Sequence, residues 1–205
     1  MFTSYAPGTG KTQKMIDYAY ELMRDSYVEW GIINTSFRQY IIDSKNQIKC
    51  KGIISSGKKY AVELDIDDII KRHPDYIVID ELGYLNVTTG NKLYEDVIQL
   101  INKGIHVVSS CNMQMFYSMN IQCKKIAGIA FRYPIPDEVF DLISDIYFVD
   151  CEPRIVSERY RKGILFPEKN DLLDRYLCDE SLIKYRDAVL EFLNKKNNVI
   201  YTRRG

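Results

Sequence analysis

At 205 residues the chain suits one domain, or one domain with a small appendage, and 46% hydrophobic residues can fill a sizeable core. Its 28 Lys and Arg balance 28 Asp and Glu, so no bulk charge draws it to nucleic acid or to an anionic membrane. No stretch approaches the ~18 apolar residues of a membrane span. The cysteines (Cys50, Cys111, Cys123, Cys151, Cys178) are odd in number and hold no Cys-x-x-Cys pair, which points to reduced thiols in a cytoplasmic protein rather than a disulfide framework or zinc site.

Met1-Phe2-Thr3-Ser4-Tyr5 reads as a short first strand, and Thr12 to Asp25 as a helix with Met15, Ile16, Ala19, Leu22 and Met23 at helical spacing. Between them lies Ala6-Pro7-Gly8-Thr9-Gly10-Lys11-Thr12. Glycines let the backbone curl so that successive N–H groups face an anion. Lys11 supplies charge for the outer phosphates and the Thr12 hydroxyl a ligand for Mg²⁺. The segment therefore reads as a phosphate-binding loop, with Pro7, Gly8, Thr9, Gly10, Lys11 and Thr12 as nucleotide contacts. Tyr5 stands where such loops usually carry their first glycine. The loop lies so close to the start that no signal peptide is expected.

Val28 to Ile33 carries a strand signal, with Gly31 marking a close backbone approach. Ile48–Ile54 and Tyr60–Leu64 flank Ser55-Ser56-Gly57-Lys58 and predict a hairpin. A short helix over Ile66–Lys71 stops near Pro74. Tyr76-Ile77-Val78-Ile79 is a continuous apolar run, as in a strand buried on both faces. Leu93–Asn102 is predicted helical, Ile105–Ser109 a buried strand, and a helix is expected near Met113–Met119. Pro136-Asp137-Glu138-Val139 has the proline and acids of a helix start. Ile146–Val149 reads as the last strand. Beyond Asp150 the pattern is helical, near Arg154–Lys162 and twice between Lys169 and Lys195. The stripe Leu182, Tyr185, Val189 and Phe192 or Leu193 suits a helix packing on its own core, or one offered to a partner. His73 and His106 flank strands and read as structural or surface groups.

Strands alternating with helices predict an α/β fold with a parallel sheet flanked by helices, a β-hairpin insertion and a helical C-terminal segment. Residues 1–150 form the nucleotide-binding core and 151–205 the extension of a single 1–205 domain. Ligands of such sheets sit at the carboxyl ends of strands, where Asp80, Glu81 and Asn112 fall. Asp80 is placed to hold Mg²⁺ through water, with Thr12. Glu81 is placed to orient or deprotonate a water attacking the γ-phosphate. Asn112 reads as a γ-phosphate contact or a turn residue, and Arg38 as a phosphate or partner contact or a surface arginine.

These motifs carry a resemblance. Ala-Pro-Gly-Thr-Gly-Lys-Thr at 6–12 is similar to the Ala-Pro-Gly-x-Gly-Lys-Thr of the N-terminal sensor domain of the KdpD osmosensitive potassium-channel histidine kinases, which also lacks the first glycine. Asp80-Glu81-Leu82 after its apolar strand, Tyr94-Glu95-Asp96-Val97, Asn112-Met113-Gln114, Pro136-Asp137-Glu138-Val139 and Lys162-Gly163 before Phe166-Pro167 resemble that family's motifs in order and spacing. The resemblance implies a cytoplasmic ATP-binding regulatory domain of potassium or osmotic two-component signalling. It implies a protein partner, a histidine kinase or a potassium-transport component. The family's stress-protein-like domain, membrane helices and kinase core have no counterpart in this sequence.

The departures cluster on the γ-phosphate side. Asn34-Thr35-Ser36-Phe37-Arg38 replaces Glu-Thr-His-Gly-Arg, Gly83-Tyr84 replaces Ala-His, and Ser109-Ser110-Cys111-Asn112 replaces Thr-Thr-Leu-Asn. Nucleotide binding is thus expected to survive with weak or no hydrolysis. A small P-loop kinase acting on a nucleoside or other small hydroxyl compound competes, but no lid rich in arginine is evident. An ATPase working on nucleic acid is disfavoured by zero net charge and the lack of a basic stripe.

Overall fold

The computed structural model describes residues 1–33, 53–56, 59–62, 64–85, 90, 92–166 and 168–203. The described strands, in chain order, are β1 (Phe2–Ser4), β2 (Val28–Trp30), β3 (Ile53–Ser56), β4 (Lys59–Val62), β5 (Tyr76–Ile79), β6 (His106–Asn112), β7 (Ile146–Asp150) and β8 (Val199–Arg203). The described helices are α1 (Lys11–Leu22), α2 (Ile66–Arg72), α3 (Leu93–Asn102), α4 (Tyr117–Ala127), α5 (Pro153–Arg161), α6 (Asp171–Tyr176) and α7 (Asp179–Leu193). The chain divides into two compact units, Met1–Lys11 with Cys111–Gly205, and Thr12–Ser110.

In the Thr12–Ser110 unit, β5 lies between β2 and β6, both parallel to it, with Tyr76 opposite Val28 on one side and His106 on the other. The β5 run Ile77-Val78-Ile79 is almost wholly buried, as its unbroken apolar sequence demands. Gly31 extends the β2 ladder, its N–H donating to the Val78 carbonyl at 2.8 Å. A Cβ there would sit 3.1 Å from that oxygen, the close approach its glycine signalled. Helix α2 is capped by Asp65, whose carboxylate accepts from the Asp68 N–H at 3.0 Å, and ends at left-handed His73. Of the predicted hairpin, β3 and β4 pair antiparallel, with Ile53 opposite Val62 and Ser56 opposite Lys59, while positions 48–52, 57–58 and 63 lie outside the described residues.

In the other unit β7 lies between β1 and β8, again all parallel. Helix α7 packs on α4, α5 and α6, and its stripe Leu182, Tyr185, Val189 and Leu193 is fully buried. The stripe therefore builds this unit's own core. The Tyr185 hydroxyl donates to the Met119 carbonyl at 3.1 Å, and burial holds it well above the ordinary tyrosine range. The C-terminal segment is helical through α5, α6 and α7, and it closes with β8, a strand the hydrophobic pattern left unmarked.

Two predicted helices differ in form. Met113–Met115 is a single 3₁₀ turn, and the α-helix begins after it at Tyr117. The segment after Pro136 is also 3₁₀, Asp137–Leu142. The Asp137 carboxylate faces α4 instead of its own turn, accepting from the Ser118 N–H at 3.2 Å and from the Ser118 hydroxyl. An acid read as the first turn of one helix thus caps the N-terminus of another.

Candidate functional site

Among the described residues of the Thr12–Ser110 unit the most deeply buried acid is Asp80, 1% exposed at the end of β5. Its N–H continues the β2 ladder by donating to the Ile32 carbonyl at 2.7 Å. Its carboxylate accepts from the Thr12 hydroxyl, 3.1 Å from Oδ1 and 3.3 Å from Oδ2, and from the Ser110 hydroxyl. Thr12 is the second residue of α1, and Ser110 lies on β6. A carboxylate this far from water is costly unless its oxygens are hydrogen-bonded, and here two buried hydroxyls point at it.

Ser110 also receives the Glu81 N–H at 3.3 Å, and its carbonyl accepts the Leu82 N–H at 2.9 Å. Glu81 itself has φ 55, in the left-handed region. A non-glycine residue there costs of order 1 kcal/mol and persists where the surroundings dictate it. The turn that follows β5 is thus set by main-chain bonds to one serine, with Glu81 half-buried. In the sequence Ser110 marks only a departure from the family's threonine. The signal available was its hydroxyl, which the replacement keeps.

In the Met1–Lys11 and Cys111–Gly205 unit, β1 runs directly into the glycine loop. Gly8 has φ 77 and Gly10 φ 97, values that L side chains rarely adopt. A Cβ on Gly8 would run into the Leu165 side chain. Arg159 Nη1 donates to the Gly8 carbonyl. Thr9 is fully buried and its hydroxyl has no partner among the described residues. Lys11 is 5% exposed. Tyr5, in the place of the usual glycine, is fully buried; its hydroxyl donates to the Cys151 carbonyl at 2.8 Å, and its own carbonyl accepts from the Tyr176 hydroxyl at 3.3 Å. Burial drives the Tyr5 hydroxyl far above the ordinary range. The side chain at this position is a core anchor.

Asn112 ends β6 with its Oδ1 3.4 Å from the Ser4 hydroxyl, which lies 2.7 Å from the Ala6 carbonyl. Gln114, two residues on, is 2% exposed, and its Oε1 has no partner among the described residues. The structure therefore brings together Thr12, Asp80, Ser110 and the Glu81 main chain, and separately joins the start of the loop to Asn112. Arg38 lies outside the described residues. Cys123 and Cys178 are free thiols, and burial pushes Cys123 up to about 12.

A strand, a curled glycine loop and a helix whose second residue meets an acid at a strand's carboxyl end define a P-loop-type α/β protein. The chain belongs to the KdpD family: residues 1–196 match the family described as the osmosensitive K⁺ channel His kinase sensor domain. It is 28% identical over 198 residues to a putative sensor protein KdpD of Synechocystis sp., an alignment covering 93% of this chain and 53% of that protein. With sensor protein KdpD of Mycobacterium tuberculosis it shares 28% over 202 residues, covering 94% of this chain and 23% of the relative. With that of Escherichia coli it shares 24% over 200 residues, 93% and 22% respectively. The chain thus spans about half the length of the first of these relatives and about a quarter of the others. Among solved structures, AMPPCP-bound DnaA from Aquifex aeolicus aligns with 96% of this chain and 56% of its own at 13% identity and a TM-score of 0.37, a likeness too weak to carry an argument.

Proposed function

We propose that this chain is an ATP-binding regulatory domain of potassium or osmotic two-component signalling, taking Mg²⁺·ATP at the 6–12 loop and hydrolysing it slowly or not at all. The observation that carries the reading is the buried contact of the Thr12 hydroxyl with the Asp80 carboxylate, 3.1 Å. A hydroxyl at the start of the loop's helix, paired with an acid at the end of a strand, is the donor set that holds Mg²⁺ in P-loop proteins. Mg²⁺ keeps several waters and asks the protein for only one or two ligands, so this pair suffices. The main-chain donors around Gly8 and Gly10, the buried Thr9 hydroxyl and the Lys11 ammonium suit phosphate oxygens.

In this reading Glu81 orients water toward the γ-phosphate and Asn112 contacts it. The family and its relatives' names support the signalling role, with a histidine kinase or potassium-transport component as protein partner. The domain works in the cytoplasm; among the described residues no helix is long and apolar enough to cross a membrane.

Titration calorimetry tests the reading. ATP should bind in the presence of Mg²⁺, Lys11→Ala should abolish binding, and Asp80→Asn should remove most of its Mg²⁺ dependence. Unchanged ATP binding by Lys11→Ala would sink the assignment of the loop.

A further inference from the structure

Segment 153–176 grips the glycine loop at three points. Arg159, on α5, donates to the Gly8 carbonyl. Leu165 fills the space beside the Gly8 Cα. Tyr176, at the end of α6, donates to the Tyr5 carbonyl at 3.3 Å. Arg159 makes no ion pair among the described residues, so its charge is directed at a main-chain carbonyl.

That bond sets the loop's chemistry. A trans peptide is planar, and its C=O and N–H point in opposite directions. Holding the Gly8 oxygen toward Arg159 therefore turns the Thr9 N–H to the opposite side. The charge-assisted bond also polarises the peptide and makes that N–H a stronger donor. Positive φ at Gly8 allows the plane to stand this way, and Leu165 leaves it room for no side chain.

We propose that Arg159 is a positioning residue of the phosphate loop. Acting through the Gly8 carbonyl, it aims the Thr9 N–H at the phosphates of a bound nucleotide. Through it and Tyr176, occupancy of the loop is felt by segment 153–176. The inference rests on the nucleotide reading above and adds the element that reads out binding.

The test combines calorimetry with hydrogen exchange on the wild type, Arg159→Gln, Arg159→Lys and Tyr176→Phe. Arg159→Gln should bind Mg²⁺·ATP and Mg²⁺·ADP roughly ten- to a hundredfold more weakly, the loss expected of one charged hydrogen bond. Arg159→Lys keeps a charged donor for the same carbonyl and should recover most of that loss, a rescue that a general packing defect would not show. In the wild type, Mg²⁺·ATP should slow amide exchange both at 5–12 and within 153–176. At saturating ATP, Arg159→Gln should keep the first protection and lose the second, and Tyr176→Phe should lose it over 168–176. Unchanged affinity in Arg159→Gln, or ATP protection confined to 5–12 in the wild type, would overturn the proposal. Should Arg159→Gln not fold, the Lys and Phe variants decide the matter by the same two readouts. If ATP changes no exchange even at 5–12 in the wild type, the nucleotide reading itself falls, and this coupling with it.

Discussion

Two glycines with nearly the same φ carry different burdens. Gly8 and Gly163 have φ 77 and 71, but Leu165 crowds Gly8 while, among the described residues, nothing lies within 4 Å of a Cβ on Gly163. Replacing either by alanine costs about 1 kcal/mol in left-handed strain. At Gly8 the Cβ must also displace a packed side chain, adding about 1–3 kcal/mol and tilting the peptide that follows. Gly8→Ala should therefore lower stability more than Gly163→Ala in urea unfolding, and it alone should weaken ATP binding by at least about tenfold. Equal effects at both positions would mean that Gly8 matters only for its φ. Ser110 has a separate burden, since its hydroxyl serves a buried carboxylate and also accepts the Glu81 N–H. Ser110→Ala should cost about 1–3 kcal/mol, whereas Ser110→Thr, which keeps the hydroxyl, should cost less. No loss in the alanine variant would show that Asp80 is satisfied without it.

At the scale of elements, helix α7 shows how a stripe becomes a core. Leu182, Tyr185, Val189 and Leu193 are fully buried, so Leu182→Ala should lose about 2–5 kcal/mol while the half-exposed Ile183 tolerates the same change nearly unharmed. The start of the helix carries a pH dependence. The Ser157 hydroxyl first, and Arg161 second, hold the Asp179 carboxyl below the usual carboxylate range. A depressed folded pKa contributes stability above the unfolded value of ~4 that is lost as pH falls through the folded one. Asp179→Asn should be less stable than the wild type at pH 7, and the gap should close in acid; a gap that persists there would assign the loss to something other than charge. The legibility of elements followed their burial. Tyr76–Ile79 and Leu93–Asn102 were readable to the residue because buried runs and full helical stripes leave one period. The strand β8 was not, since Ile200 and Tyr201 are about half exposed and the ladder that makes Val199–Arg203 a strand is supplied by β7, far away in sequence. The 3₁₀ form of Asp137–Leu142 was equally hidden, because its acid is engaged by Ser118 on another helix. Of the candidate residues, the loop and Asp80 stand out as motifs in the sequence; Ser110 beside Asp80, and Arg159 in the other unit, do not, because their partners are reached only through the fold.

For the whole molecule, the decisive property is whether occupancy of the loop changes the stability of the folded chain. Anything that binds the native state alone stabilises it by mass action, about 2.7 kcal/mol at a hundredfold excess over Kd. For a chain of about 200 residues that corresponds to a rise in Tm of roughly 5–10 °C. Mg²⁺·ATP should produce such a shift in the wild type, and Lys11→Ala should remove it without itself moving the ligand-free Tm by more than a few degrees. Glu81 then separates binding from turnover. It sits in a strained turn beside Asp80 and is not among the groups proposed to hold phosphate, so Glu81→Gln should keep the full ATP-dependent shift while lowering the slow release of phosphate. A domain that reports nucleotide by being occupied needs that shift more than it needs turnover. A wild type that turns over several ATP per second, or whose Tm ignores Mg²⁺·ATP, would be working in some other way.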